Sequence, residues 1–320
     1  MVPPHPLEGI SLMTVKFLVT HSGGFHADEL MSSVILTKVF PDAELVRSRA
    51  PEWITPNSDR VIYDVGGAYD PTAQIYDHHQ RDAPRRSDGS AFSSFGLIWK
   101  HYGESYLESA GIPQKDIDLI HKYFDESYVL PIDLVDNGEL SPSTAGQLAA
   151  LTLPVLLETL KPVFDDIRLD ADDCAFQQAL GIARSLVEAK IGGIAAKYRA
   201  QSIVSSAIAE AGDSRVLELP SGMPFRSAIE NAGADHLLFV VHPRKGDWGL
   251  TGIRKSDDGF ELRADLPAAW AGLSNAELED ACGVKGATFC HNGLFIAAAR
   301  TREAALAMAE LAVNNVLNER

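Results

Sequence analysis

Cysteine is scarce in this chain. Cys174, Cys282 and Cys290 form an odd set with no CxxC spacing, which argues against a disulfide framework and against a thiolate zinc knot. Any metal would therefore be held by His and Asp. Long apolar runs are missing as well, since nothing approaches the ~18 consecutive apolar residues of a membrane-spanning helix. The opening "MVPPHPLEGISLM" has neither the basic nor the apolar region of a signal peptide. These absences predict a cytoplasmic protein with no membrane partner. Basic residues are outnumbered, with 28 Lys and Arg against 44 Asp and Glu and a net charge of −16. Non-specific coating of nucleic acid draws on many Lys and Arg, so that class is disfavoured. A local basic site, or bound divalent cations that supply the positive charge, stays open.

With 320 residues, 46% of them hydrophobic, the chain can bury one large core or, as the pattern suggests, two domains. The Pro-rich stretch 1–13 lacks periodicity and reads as a disordered tail or a start codon placed too early. Strand and helix patterns then alternate: "KFLVT", "DELMSSVILTKVF", "AELVRSR" and "RVIYDVGG". Such alternation predicts an α/β domain over 14–150 with a largely parallel sheet flanked by helices. "AFSSFGLIWKHYG" reads as a helix ending at Gly103, and Pro131 should kink or divide the helix over "DIDLIHKYFDESYVLPIDLVDNGE". The stretch 151–211 reads as a helical connector, dominated by an Ala-rich helix from about Asp172 to Ala211. A smaller α/β domain with a mixed sheet is expected over 212–320.

Four clusters could carry chemistry. "THSGGFHADE" sets His21, His26 and Asp28 where a strand gives way to a helix, the place where ligands bind in open α/β sheets. "VIYDVGG" runs an apolar strand into Asp64, and "IYDHHQR" offers Asp77, His78, His79 and Arg81 within five positions. "PIDLVDNG" places Asp133 and Asp136 three apart, on one helix face. Taken singly, Asp64 before Gly-Gly is a turn and Asp136-Asn137-Gly138 a helix end. Taken together, carboxylates and imidazoles from separate stretches of one domain point to hard or borderline divalent ions. Two such ions about 3.5–4 Å apart can clamp the attacking and leaving oxygens of a phosphoryl displacement.

These motifs, with "SSFGLIWKHYG", "LPAAWAGL" and "FCHNG" further on, resemble the melanocyte-proliferating-gene family of DHH-like proteins, regarded as metal-dependent 3′→5′ exonucleases. The resemblance runs from about Thr14 nearly to the end. It implies a DHH-type N-terminal domain, a smaller substrate-binding C-terminal domain, and an active site in the cleft between them. By that resemblance His21, His26 and Asp28 form the first metal motif, Asp64 the second, His78 is a further ligand, and Asp133 or Asp136 supplies the last carboxylate. Asp77, His78 and His79 would be the catalytic run, Asp77 orienting an imidazole while His79 and Arg81 contact the phosphate. His291, Asn292 and Gly293 would contact phosphate or base, or simply make a β-turn. Wider DHH enzymes carry a carboxylate where this chain has His26, which tilts the expected pair of ions toward Mn²⁺, with Co²⁺, Zn²⁺ or Mg²⁺ as alternatives.

Three functions fit: a phosphodiesterase trimming RNA or short oligonucleotides from the 3′ end, a phosphatase or pyrophosphatase acting on a small molecule, or a non-catalytic metal-binding module. The acidic charge slightly favours a short substrate. The assembly state is open, a homodimer included.

Overall fold

A computed structural model describes residues 15–256 and 259–318; the tail expected over 1–13 lies outside the described residues. The chain divides into two compact units, Met1–Ala195 and Ala196–Arg320, each with its own sheet.

The first unit runs β1 (Phe17–Thr20), α1 (Ala27–Val39), β2 (Glu44–Arg47), α2 (Pro51–Ile54), β3 (Arg60–Tyr63), β4 (Tyr69–Asp70), β5 (Ile75–Tyr76), α3 (Ser94–Ser109), α4 (Gln114–Phe124), α5 (Leu130–Asp136) and α6 (Leu153–Glu158). Its sheet has the order β2-β1-β3-β5-β4. The first four strands of that order are mutually parallel and only β4 runs against its neighbour, as the alternating pattern predicts. Short apolar strands buried on both faces, such as Val61 to Tyr63, need helices on each side.

From Ala27 to Leu36 every residue of α1 is buried, so its polar side chains need internal partners. Ser33 Oγ donates to the Glu29 carbonyl at 2.6 Å and lies 2.6 Å from the Tyr63 hydroxyl, while Ser32 Oγ meets Ser94 Oγ at 3.2 Å. These bonds tie α1 to β3 and to the start of α3, and so fix the elements that carry the site.

Two helix ends differ from expectation or explain it. Helix α3 continues past Gly103 to Ser109; the glycine is there for packing, because a Cβ would stand 2.7 Å from the His121 ring of α4. The His121 ring stacks on Trp99, with centroids 4.9 Å apart. The division expected at Pro131 is present as a π-helical turn over Asp125–Val129, where the Leu130 amide bonds the Asp125 carbonyl five residues back. A proline lacks an amide hydrogen and crowds the preceding turn, and the widened turn accommodates it.

A long helix, α7 (Ala171–Ala211), spans the boundary between units. The second unit contains β6 (Val216–Glu218), α8 (Arg226–Asn231), β7 (Phe239–Pro243), β8 (Trp248–Gly252), α9 (Asn275–Cys282), β9 (Ala287–Cys290), β10 (Ile296–Ala299) and α10 (Arg302–Asn318). Its sheet, β6-β7-β8-β10-β9, is mixed: β6 and β7 are parallel and the other pairings antiparallel. Small residues let α10 lie close on that sheet, with Ala297, Ala299, Ala305 and Ala309 fully buried. Among the described residues no helix is long and apolar enough to cross a membrane, and the three cysteines are free.

Candidate metal centre

Three parallel strands deliver the chemistry to one edge of the first sheet. His21 follows β1, Asp64 follows β3, and Asp77 and His78 follow β5, so the strand polarity alone places them at the same carboxyl-terminal edge. Asp28 and Glu29 come from the first turn of α1 and Asp136 from the last residue of α5. Asp64 adopts a left-handed backbone, φ +56°, a conformation that Asp tolerates better than most residues. Gly66 and Gly67, also at positive φ, turn the chain back at once, so Asp64 is both the turn of the bland reading and a member of the cluster.

His21 Nε2 stands 3.1 Å from Glu29 Oε1 and 3.1 Å from Asp64 Oδ2. His78 Nε2 stands 3.2 Å from Asp64 Oδ1, 3.4 Å from Asp136 Oδ2 and 3.7 Å from Asp28 Oδ2. All but Asp136 are at most about one-twentieth exposed in their side chains, and Asp136 is at 16%. Ligand atoms of Asp28, His78 and Asp136 lie within 4.8 Å of one another, as do those of Asp64, His78 and His79, of Asp28, Glu29 and Asp64, and of His21, His26 and Glu29.

Such crowding of carboxylates is repulsive unless positive charge sits among them. Burial opposes the charged form of His21, but the Asp64 and Glu29 carboxylates outweigh it and raise the ring to about 10. His78 is raised in the same way to about 9, against burial, by Asp64 and then by Asp28 and Asp136. Burial raises Glu29, and burial together with the Asp28 charge raises Asp136. Asp64 is lowered to about 2, its burial overcome by His21 and His78. In effect the imidazolium rings do what cations would do.

The donor set fits divalent metal. Asp28 Oδ1, Glu29 Oε1 and Asp64 Oδ1 are buried without a hydrogen-bond partner, the last two meeting the His21 and His78 imidazoles, at 3.1 and 3.2 Å, as ion-pair neighbours. Buried carboxylate oxygens left in this state, beside imidazoles and with no thiolate, make a site for hard or borderline ions.

Supporting groups hold the donors. Asp28 Oδ2 accepts from Ser94 Oγ at 2.8 Å. Glu29 Oε2 accepts from the His26 amide at 2.8 Å, closing the first turn of α1. Asp77 accepts from the amides of Gly67, His78 and His79 and lies 2.7 Å from His79 Nδ1. A cavity of about 440 Å³ opens over the cluster, lined by His21, Asp64 and His78 among others, and a neighbouring one of about 460 Å³ shares His26, His78, His79 and Asp136 with it.

The chain has relatives of known sequence. The model of the MYG1 exonuclease family, described as an uncharacterised protein family (UPF0160), matches residues 17–313. The chain belongs to that family. It is the family that the motifs resemble, and its match covers both units. The human protein named MYG1 exonuclease is 29% identical over 336 residues, covering 96% of this chain and 88% of its own, and the MYG1 protein of Dictyostelium discoideum is 27% identical over 322 residues, covering 93% and 96%. Among solved structures, RecJ from Thermus thermophilus in complex with Mn²⁺ aligns with 94% of this chain at 14% identity and a TM-score of 0.29, and the chain spans about half, 52%, of that protein.

Within this MYG1-family chain the expected residues do not all come together. His21, Asp28, Asp64, His78 and Asp136 converge, and His26 stands exposed at the cavity's edge. Asp133 does not join them. Its Oδ1 accepts from Ser93 N, Ser93 Oγ and Gly96 N at the start of α3, and its Oδ2 from Arg86. It is a fully buried anchor, and Gly96 makes room for it, since a Cβ there would lie 2.2 Å from Asp133 Oδ2. Arg81 is exposed and lines neither cavity. His291, Asn292 and Gly293 belong to the other unit, in an exposed turn between β9 and β10 where Gly293 N donates to His291 Nδ1 at 2.9 Å.

In the sequence Glu29 belongs to the crowded "HSGGFHADE" turn but carries no assigned ligand role, and Arg49, which lines the first cavity, goes unnoticed. Glu29 is the neighbour of Asp28 in "HADE", and its place three residues after the capping residue His26 is the available signal. Arg49 gave no signal beyond its position two residues after a strand.

Proposed function

We propose that this chain is a divalent-metal-dependent phosphodiesterase, an exonuclease that trims RNA or short oligonucleotides from the 3′ end. The observation that carries the reading is the convergence of His21, Asp28, Asp64, His78 and Asp136 at one edge of a parallel sheet, with three buried carboxylate oxygens that accept no hydrogen bond. Membership of a family whose human relative is named an exonuclease supports it.

His21, Asp64 and Glu29 would hold one ion, with His26 completing its outer side; Asp28, His78 and Asp136 would hold a second, and Asp64 lies against both groups. When bound, two such ions supply Lewis-acid stabilisation and a water acidic enough to attack a phosphorus at neutral pH. The chain's residues do the rest. Asp64, held low by His21 and His78, stays ionised, Ser94 keeps Asp28 from rotating, and Asp77 orients His79. The Asp77 carboxylate also raises the His79 ring, which is exposed at 63% and so suited to meet a phosphate oxygen or hand a proton to a leaving group. Manganese is the expected ion, because imidazole takes a share of a carboxylate-rich set. Cys174, Cys282 and Cys290, all free, accord with a cytoplasmic location.

The test is turnover of labelled RNA, labelled DNA, dinucleotides and pyrophosphate in Mn²⁺, with EDTA controls. EDTA-sensitive release of nucleotides from the 3′ end is the expected result. Hydrolysis of pyrophosphate alone would replace the reading with a small-molecule phosphatase.

A further inference from the structure

We propose that Arg49 is the substrate-binding residue that takes the non-bridging oxygens of the phosphodiester, an assignment that rests on the phosphodiesterase reading above. Three observations lead to it. First, position: β2 pairs in parallel with β1, Thr20 opposite Arg47, and the Ser48 amide extends the ladder by donating to the Thr20 carbonyl at 2.7 Å. Arg49 therefore leaves the sheet at the same edge as His21, and it lines the cavity that His21, Asp64 and His78 line. Among the described residues no other Lys or Arg lines that cavity.

Second, availability. Arg49 is exposed and makes no hydrogen bond, ion pair or ring contact among the described residues, although acids crowd the cavity beside it. Its neighbour shows the contrast. The Arg47 guanidinium donates to Asp173 at 2.7 Å and to the Gly23 carbonyl, and stacks 4.4 Å over the Phe176 ring. Arg47 clamps α7 and the glycine turn to the sheet; Arg49, two residues on, has no structural task.

Third, charge. Ions in the cluster would be neutralised largely by Asp28, Glu29, Asp64 and Asp136, leaving the substrate's own negative charge to be met from the wall. A guanidinium presents a rigid fork of donors that matches two phosphate oxygens, and it stays charged at every relevant pH. One such fork in the lining serves one phosphate, which suits the end of a strand or a dinucleotide better than a long backbone.

The experiment uses the full chain with Arg49→Ala and Arg49→Lys. Two readouts are taken: Mn²⁺-dependent hydrolysis of a labelled RNA dinucleotide, and calorimetric binding of its phosphorothioate analogue in Ca²⁺. Losing a charge-assisted bidentate contact should raise KM and weaken analogue binding about tenfold or more, with Mn²⁺ stoichiometry and melting temperature unchanged because the side chain is exposed. Lysine should recover part of the loss, and alanine should lower the slope of log binding against log salt by about one. Wild-type affinity and salt slope in Arg49→Ala, or no analogue binding by the wild type, would overturn the assignment. Analogue binding that is sensitive to Arg49 without turnover of any phosphodiester would instead sink the phosphodiesterase reading and leave Arg49 as a phosphate-binding residue.

Discussion

Two aspartates three residues apart on α5 show how neighbouring carboxylates in one helix take different work. Asp133 is fully buried and saturated by Ser93, Gly96 and Arg86; Asp136 accepts no such bonds and faces His78 and Asp28. Spacing puts them on the same side of the helix, and only what arrives from α3 and β5 separates anchor from ligand. A carboxylate that finds every donor it needs holds a fold together. One left short of donors, among others equally short, is available to a cation.

The largest expected effect comes from the carboxylate shared by both halves of the cluster. Asp64→Ala should lower Mn²⁺-dependent hydrolysis by on the order of 10³ or more while far-ultraviolet circular dichroism stays that of the wild type; a variant that keeps its turnover would refute the assignment.

Asp136 and Asp133 should then part company. Asp136→Asn should lose most of its hydrolysis yet melt no lower than the wild type in EDTA, since burial and the Asp28 charge already raise that carboxyl to about 9 in the metal-free protein and the amide replaces a largely neutral acid of the same shape. Asp133→Ala should melt far lower, by about 3–5 kcal/mol of stability, because it strands the half-buried Arg86 with only Asp125 to meet it. Equal melting temperatures for the two variants would erase the distinction.

Protons give a third, smaller test. His21 and His78 are raised to about 10 and about 9, so at neutral pH both are charged in the metal-free protein and must lose a proton to bind an ion. Apparent Mn²⁺ affinity should therefore climb as pH rises from 6 toward those values, and titrations in buffers of different ionisation heat should show up to about four protons released per chain, one from each of the proposed ligands His21, His78, Glu29 and Asp136 that are raised above neutral pH. A pH-independent affinity would mean that the imidazoles are not ligands. In the metal-free protein the sign is opposite: the raised rings stabilise the fold fully below the unfolded value of about 6.5, and that contribution fades as pH rises through 9 to 10.

The smallest effect should come from the second unit. His291→Ala, in its exposed turn, should leave Mn²⁺ binding untouched and change KM by no more than about tenfold; any loss of bound metal would contradict the placement of the whole site in the first unit.

Much of this was legible beforehand. Apolar runs that stop at His21, Asp64 and Asp77 read as strands because hydrophobic periodicity is local, and the parallel order follows from helices between them. The failures were those of distance. Gly103 looked like a helix end, yet it is explained by His121, a residue on another helix. "SSFG" was a recognisable motif without a role until Asp28 and Asp133 came to it from positions 66 and 40 residues away. Glu29 stood in a crowded turn with no readable role and Arg49 could not be told from an ordinary surface charge, because what distinguishes them is burial in one case and the lack of any partner among the described residues in the other.

The central claim is that the crowded edge of the first sheet is a two-ion site. Counting the Mn²⁺ bound per chain by calorimetry, with Asp64→Ala alongside, tests it most directly. Two ions bound by the wild type and a loss in the variant are the expected result; a wild-type chain that binds none, or a variant that binds as many as the wild type, would contradict the account.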